Sequence, residues 1–239
     1  MNTWQFWTGT KQTWVGLCQQ TVQKHCPNVV LLDEAAWQKL WTEDRDIDLG
    51  RLYIAHKADF IRAYLLAHHG GMWVDSDCLF MRDIHPLLEV TKLWDFCGYR
   101  ESSGQVTNNF MIAPLGSVLM DRYYKKVCKI LREHQAANRK LDWLTIGANA
   151  LSSVVDGRDR PWLRLDRELI QPICWSQPGR YFNTGTAEEH AKNEYPHAFC
   201  HMLSGHMVNN GSGLLHPNTL FRHLLTRSLG EGWERTSGS

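Results

Sequence analysis

The sequence contains no apolar run close to the roughly 20 residues that an α-helix needs to span a bilayer. Its opening, MNTWQFWTGTKQTW, also lacks the basic stretch followed by an apolar core that defines a signal peptide. These absences predict that the protein has no transmembrane segment. They also predict that it is cytoplasmic. They leave open a position at the inner face of the membrane, through peripheral contact.

An excess of charge of either sign is also missing. Lys plus Arg number 26 and Asp plus Glu number 25, so the formal net charge is +1. Proteins that bind nucleic acid or a strongly anionic membrane through their electrostatic field carry a clear basic excess. The composition therefore predicts that nucleic acid is not a partner.

The seven cysteines form no CxxC pair and are irregularly spaced. A zinc knuckle or a disulfide framework would show regular spacing, so we expect reduced thiols. The chain has 239 residues, of which 43% are hydrophobic, which is enough for one sizeable core. We predict a single domain over residues 1–235 and a flexible tail, TSGS, over 236–239.

Strand and helix patterns alternate along the chain. Short β-branched or aromatic runs predict strands, and amphipathic repeats predict helices. The predicted strands are residues 5–7, 29–32, 72–74, 96–99 and 109–113. The predicted helices are residues 15–26, 34–41, 54–68, 118–133 and 141–155. This order is typical of an α/β fold with a mainly parallel, Rossmann-like sheet flanked by helices.

The stretch GGMWVDSDC, residues 70–78, places two carboxylates directly after an apolar strand. In an extended segment Asp75 and Asp77 would face the same side, at the strand end where open α/β sheets bind ligands. Adjacent carboxylates repel each other unless a cation lies near them, and Mg²⁺ or Mn²⁺ suits such oxygen ligands. An isolated D-x-D is more often a loop with two solvated acids, so its context matters.

The upstream sequence HKADFIRAYLLAHH supplies that context. Asp59 and Arg62 lie three residues apart, on one face of the predicted helix 54–68. They form either a surface ion pair or the polar edge of a nucleotide pocket. Helix, glycine pair, apolar strand and D-x-D together are far more specific than any one of them.

HKADFIRAYLLAHHGGMWVDSDC closely resembles the signature of DXD-containing sugar transferases, whose usual pattern reads SDxxRxxxLxxxGGxYxDxD. These are glycosyltransferase family 32 and the related capsular polysaccharide synthesis proteins. The opening FWTGTKQTWVGLCQQTVQKHCPNVVLL resembles the family's first strand, first helix and second strand, and the resemblance covers residues 4 to 115 well. The chain departs from the pattern at Ala58, where serine is commoner, and at Trp73, where tyrosine is commoner.

The resemblance implies a GT-A fold that binds a nucleotide-sugar donor and a divalent metal, Mn²⁺ or Mg²⁺. It implies that Asp75 contacts the ribose or sugar side of the donor and that Asp77 holds the metal bridging the diphosphate. The other implied donor contacts are Trp7, Thr8 and Gly9 beside the nucleobase, and Asp59 and Arg62 beside the sugar and phosphate.

Two further segments supply weaker candidates. Asn108 and Asn109, in TNNFMIAP, border the donor sugar and acceptor in the family pattern, although an ordinary turn before a strand explains them equally well. His201, in AFCHMLSGHM, matches the family histidine near the metal and diphosphate better than His206 does, although a lone histidine is more often structural. The predicted catalytic residues are Asp75, Asp77, Arg62 and Asn109, and the predicted metal ligands are Asp77, Asp75 and His201.

The implied reaction moves a hexose from a UDP- or GDP-sugar to a hydroxyl of a polysaccharide, glycan or glycolipid, with retention at the sugar. The metal stabilises the leaving diphosphate as a Lewis acid, and Arg62 adds a charge-assisted bond. Two alternatives stay open. One is a haloacid-dehalogenase-type phosphatase with Asp75 as nucleophile, although Cys78 and Leu79 stand where such enzymes have threonine. The other is a protein that binds nucleotide sugars without turnover.

Overall fold

A computed structural model describes residues 1–157, 161–192, 194–208, 211 and 213–235. The predicted tail, 236–239, lies outside these residues. The strands are β1 Thr3–Phe6, β2 Val29–Leu32, β3 Gly71–Val74, β4 Cys78–Phe80, β5 Cys97–Tyr99, β6 Phe110–Ala113, β7 Leu163–Leu165 and β8 Cys200–Met202. The helices are α1 Thr13–His25, α2 Glu34–Leu40, α3 Ile54–His68, α4 His85–Thr91, α5 Val118–Ala136, α6 Ala150–Val155, α7 Ala187–Ala191, α8 Gly205–Val208 and α9 Leu220–Leu229.

The chain divides into two compact units, of which the first comprises Met1–Trp7, Val30–Val74 and Leu87–Leu165. Its sheet has the order β2-β1-β3-β6-β5-β7. β1 is parallel to β3 and β5 is parallel to β7, whereas β6 is antiparallel to both β3 and β5. β1, β3, β5 and β7 therefore share one direction, which confirms the predicted α/β fold with a mainly parallel sheet. The single domain over 1–235 stays a prediction.

Helix α3 has the predicted bounds and carries the aromatic core of the first unit. Gly70 follows it with φ +61°, the left-handed conformation that commonly ends a helix. Phe60 and Tyr64 project from α3 onto Trp37 of α2, with Tyr64 edge-on at a ring separation of 5.2 Å. Trp37 also stacks on Trp41 at 5.8 Å. These fully or nearly fully buried rings fix α3 in place.

The predicted helix over 141–155 is wrong in its first half. Residues 141–144 are not helical, Thr145–Asn149 form a π-helical turn, and only Ala150–Val155 form an α-helix. Gly147 has ψ −114°, which breaks the helix. The Tyr123 hydroxyl donates to the Ile146 carbonyl at 2.9 Å, so a side chain satisfies a carbonyl that a continuous helix would pair internally.

The second unit comprises Thr8–Val29, Asp75–Pro86 and residues from 166 onward. Its two-stranded sheet pairs β4 antiparallel with β8. Helix α1 packs on β4, where Thr21 Oγ1 accepts a hydrogen bond of 2.9 Å from the Phe80 amide. All seven cysteines are free, as predicted. Within the ranges given above, no helix is both long and apolar enough to cross a membrane.

Candidate active site

Asp75 and Asp77 lie in a turn, and the extended geometry predicted for them is wrong. β3 ends at Val74, and the Cys78 amide donates to the Asp75 carbonyl at 3.2 Å, which closes the turn before β4. Both aspartates are half-buried, whereas Ser76 between them is buried and its hydroxyl accepts from Gln19 Nε2 at 3.3 Å. The turn therefore leaves the two acids partly accessible and anchors the serine between them.

The carboxylate of Asp77 is oriented by the segment that follows β8. The Gly205 amide donates to Asp77 Oδ2 at 2.5 Å, and the Leu203 amide donates to the Asp77 carbonyl at 3.2 Å. A Cβ at position 205 would lie 2.9 Å from Asp77 Oδ2, so a side chain there would displace the carboxylate. Gly205 is a site residue that the sequence does not predict, because only the folded chain brings β8 beside β4.

The donor chemistry of the turn fits a small divalent cation. Across the described ranges, no group of three or more His, Cys, Asp or Glu side chains is placed to hold a metal ion. Mg²⁺ characteristically needs only one or two protein carboxylates, because water and substrate phosphates complete its shell. Asp75 and Asp77 supply such oxygen ligands, and no soft ligand is required.

Three neutral side chains of the second unit, Cys18, Cys78 and Tyr181, lie close enough to Asp77 to feel its charge. Burial raises the pKa of the Cys18 thiol well above its usual range, and the charge of Asp77 raises it further. Burial likewise raises the pKa of the Cys78 thiol and of the Tyr181 hydroxyl. Because burial raises their pKa values, Cys18 and Cys78 stay protonated, and a protonated thiol is not a metal ligand.

His201 lies on β8, opposite Leu79 of β4, and is fully buried. Its Nδ1 lies 3.4 Å from the Tyr181 hydroxyl, and the rings of Tyr181 and Tyr195 lie 5.9 and 6.0 Å from its own. Burial lowers the pKa of His201 to about 4, so its imidazole is neutral. Its role as a metal ligand stays a prediction, and the side chain of His206 lies outside what the structure describes.

A second polar group lies in the first unit and contains Asp59, Arg62 and Asn108. Asn108 Nδ2 donates to Asp59 Oδ1 at 2.7 Å, and Arg62 Nη1 donates to the Asn108 carbonyl at 2.7 Å. Arg62 Nη2 lies 3.5 Å from Asp59 Oδ1, and its guanidinium lies 5.0 Å from the centroid of the Trp73 ring. Asp59 and Arg62 are 7% and 5% exposed, so the alternative of a surface ion pair is wrong.

The backbone of the π-helical turn, Thr145–Asn149, packs closely against Asp59 and Asn108. A Cβ at Gly147 would lie 2.9 Å from Asn108 Nδ2 and 3.0 Å from Asp59 Oδ2. Asn109 faces another partner, because the buried Tyr99 hydroxyl donates to Asn109 Oδ1 at 2.9 Å. Asn108 therefore lies beside Asp59 and Arg62, which are also predicted to contact the donor. The hydrogen bond from Tyr99 instead anchors Asn109 to the sheet.

The residues expected beside the nucleobase follow β1. The Trp7 amide donates to the Leu32 carbonyl at 2.9 Å, and the buried Trp7 Nε1 has no hydrogen-bond partner among the described residues. Thr8 and Gly9 are exposed, and Gly9 has φ +79° with open space where a Cβ would lie. Their contact with a nucleobase stays a prediction.

A family model described as "Capsular polysaccharide synthesis protein" matches residues 2–137, and no curated protein matches significantly. The glycosyltransferase GlyE of Streptococcus pneumoniae TIGR4 is 8% identical with TM-score 0.50, over 99% of this chain and 64% of that chain. Apo GlyE is 10% identical with TM-score 0.42, over 70% and 45%. PaToxG Glycosyltransferase is 13% identical with TM-score 0.45, over 95% and 83%.

The chain spans less than two thirds of the length of both GlyE chains. At 8% identity, the likeness to GlyE at TM-score 0.50 concerns the fold alone. That fold is a glycosyltransferase fold, which agrees with the strand order and directions given above.

Proposed function

Because the chain belongs to the capsular polysaccharide synthesis protein family and is a glycosyltransferase by family and fold, we propose that it transfers a hexose from a UDP- or GDP-sugar to a carbohydrate or lipid-linked hydroxyl. Asp75 and Asp77 serve as its DXD motif, as in glycosyltransferase family 32. The reaction depends on Mn²⁺ or Mg²⁺. The main support is the half-buried aspartate pair in one turn directly after β3, with Asp77 oriented by a backbone amide.

A divalent ion held by Asp75 and Asp77 would offset the charge that develops on the leaving diphosphate. The protein's own contribution is to keep the two carboxylates fixed. The Gly205 amide holds Asp77 Oδ2, and the buried Ser76 anchors the turn between the acids. Burial and the charge of Asp77 raise the pKa of the Cys18 thiol, so no thiolate lies beside Asp77 to repel it.

Asp59, Arg62 and Asn108 position the sugar of the donor. The guanidinium of Arg62 bonds to Asn108 and to the Ala58 carbonyl, at 2.7 and 3.2 Å, and is 5% exposed. We therefore assign Arg62 a positioning role, in which it holds Asp59 and Asn108. A carboxylate and an amide side by side suit sugar hydroxyls, because they offer acceptors and a donor together.

Transfer with retention needs no separate base. The bond between the sugar C1 and the phosphate oxygen breaks, and a bond forms between C1 and the acceptor oxygen on the same face. The acceptor proton passes to the departing diphosphate. Asn109, the remaining predicted catalytic residue, would accept or donate a hydrogen bond to a substrate hydroxyl.

The test is hydrolysis of UDP-glucose, UDP-galactose and GDP-mannose by the full chain, with Mn²⁺ or with EDTA. We expect slow release of free sugar and nucleoside diphosphate from one donor, and only with the metal. Absence of release from every donor would contradict the proposal. Turnover of a phosphomonoester through a phosphorylated Asp75 would favour the phosphatase instead.

A further inference from the structure

Two exposed aromatic rings flank a buried histidine near the start of α3. Tyr53 is 73% exposed and Trp143 is 54% exposed, whereas His56 between them is 3% exposed. The His56 ring lies 6.4 Å from the Tyr53 ring and 6.2 Å from the Trp143 ring. Exposed tyrosine and tryptophan rings grouped around one polar side chain are typical of ligand sites.

The imidazole of His56 is incompletely satisfied. Its Nε2 is buried and has no hydrogen-bond partner among the described residues. A buried polar atom without a partner is destabilising, and native structures normally complete it with protein, water or ligand. A ligand hydroxyl over His56 would supply that partner, because either a donor or an acceptor suits a ring nitrogen.

This aromatic group continues directly into the donor residues. His56 precedes Asp59 by three residues on α3, so both lie on one face of the helix. Trp143 lies two residues before Thr145–Asn149, the turn whose Gly147 presses against Asp59 and Asn108. The same two backbone segments therefore carry the aromatic rings and the polar group.

We propose that Tyr53, His56 and Trp143 bind a pyranose ring of the acceptor glycan. This inference rests on the proposed function and names a subsite for its second substrate. The C–H face of a pyranose is apolar and its rim carries hydroxyls, which matches exposed rings beside an unpartnered nitrogen. The rings are inclined to the imidazole by 70° and 51°, so His56 and its neighbours form no parallel slot for a planar base.

Saturation-transfer NMR with the methyl glycosides of glucose, galactose, mannose and rhamnose tests the subsite on the full chain. We expect at least one to bind, and Trp143→Ala to weaken that binding about tenfold, as expected for loss of a stacked ring. Trp175→Ala is the matched control, because Trp175 is a 45% exposed tryptophan of the second unit. It should bind the glycoside like the wild type.

His56→Phe separates binding from folding. Phenylalanine keeps a ring but removes the buried nitrogen, so we expect an unchanged or higher melting temperature together with weaker glycoside binding. The inference is overturned if no methyl glycoside binds the wild type, or if Trp143→Ala binds the glycoside as tightly as the wild type does. It is also overturned if Trp143→Ala weakens the binding of UDP and not the binding of the glycoside. Absence of donor hydrolysis from the wild type, with glycoside binding present and weakened in Trp143→Ala, would overturn the proposed function and still support the subsite.

Discussion

Asn108 donates a hydrogen bond of 2.7 Å to Asp59, which joins the loop before β6 to the middle of α3. The bond fixes one oxygen of Asp59, and the other lies 3.0 Å from the position that a Cβ on Gly147 would take. Asp59 is thus held between an amide and a closely approaching backbone. This arrangement explains why the loop, the helix and the π-helical turn are expected to act as one binding surface.

Asn108→Asp should destabilise the contact with Asp59, although the new side chain has almost the same shape as asparagine. It places a second carboxylate beside Asp59, which is 7% exposed, so the two charges repel each other. We expect a loss of about 1–3 kcal/mol in the free energy of unfolding at pH 7, measured by urea denaturation. Asn109→Asp is the control, because it keeps the oxygen that accepts from Tyr99; an equal loss there would contradict the account.

Arg62→Ala should lower the free energy of unfolding, and not only the rate of the transfer reaction. Removal of the guanidinium leaves Asp59 buried without its charge partner, a change that typically costs about 3–5 kcal/mol. Arg45→Ala is a matched control. The Arg45 guanidinium also lies over a tryptophan ring, 4.5 Å from the centroid of Trp41, but its hydrogen bond to Gln38 is exposed to solvent. Guanidinium chloride denaturation should separate the two variants. If Arg62→Ala and Arg45→Ala unfold at the same guanidinium chloride concentration, Arg62 does not hold Asp59 and Asn108 in place.

Gly205→Ala should weaken the metal site through Asp77. The added Cβ would lie 2.9 Å from Asp77 Oδ2, in the place from which the Gly205 amide now orients it. Loss of such outer-shell support typically costs 10–100-fold in metal affinity. We expect the Mn²⁺ concentration for half-maximal donor hydrolysis to rise by roughly tenfold or more. Gly179→Ala, where no atom lies within 4 Å of the added Cβ, should leave it unchanged.

Elements with a regular pattern are predicted well from the sequence. β2 and α3 have the predicted bounds, and α2 begins at the predicted residue, Glu34, where the Asp33 side chain accepts from the Ala36 amide at 2.7 Å. β4 and β8 are not predicted, because each has only three residues and depends on a partner far along the chain. Helix α9 has a clear amphipathic face, but the frequent prolines before it obscure the pattern.

The sequence indicates which residue types to consider for the candidate site, but it does not indicate their geometry. Spacing alone suggests that Asp59 and Arg62 face the same side, and they do lie 3.5 Å apart. Spacing does not show that Arg62 is buried, because that depends on Trp73 and Asn108 from other elements. It also predicts an extended segment for Asp75 and Asp77 after the strand, whereas the Cys78 amide closes a turn there.

The buried imidazole of His201 predicts a pH-dependent stability. Burial lowers its pKa from 6.5 to about 4, so between these values the unfolded chain binds a proton that the native chain does not. Stability is therefore present above pH 6.5 and is lost as the pH falls, by on the order of 2 kcal/mol between pH 7 and pH 5. His25 and His69, whose pKa values burial also lowers, add slope of the same sign, so His201→Leu should make the loss smaller in urea titrations at the two pH values without abolishing it. Parallel losses in wild type and variant would contradict the burial argument.

Binding of Mn²⁺ by Asp75 and Asp77 is the central claim, and electron paramagnetic resonance of free Mn²⁺ tests it directly. Titration of the ion, with UDP or GDP present, into wild type and Asp77→Asn compares two chains of nearly identical shape. We predict that the wild type depletes the free Mn²⁺ signal and that Asp77→Asn leaves it almost unchanged, while both keep the same melting temperature. Equal depletion by the two proteins would show that the cation does not bind at this turn.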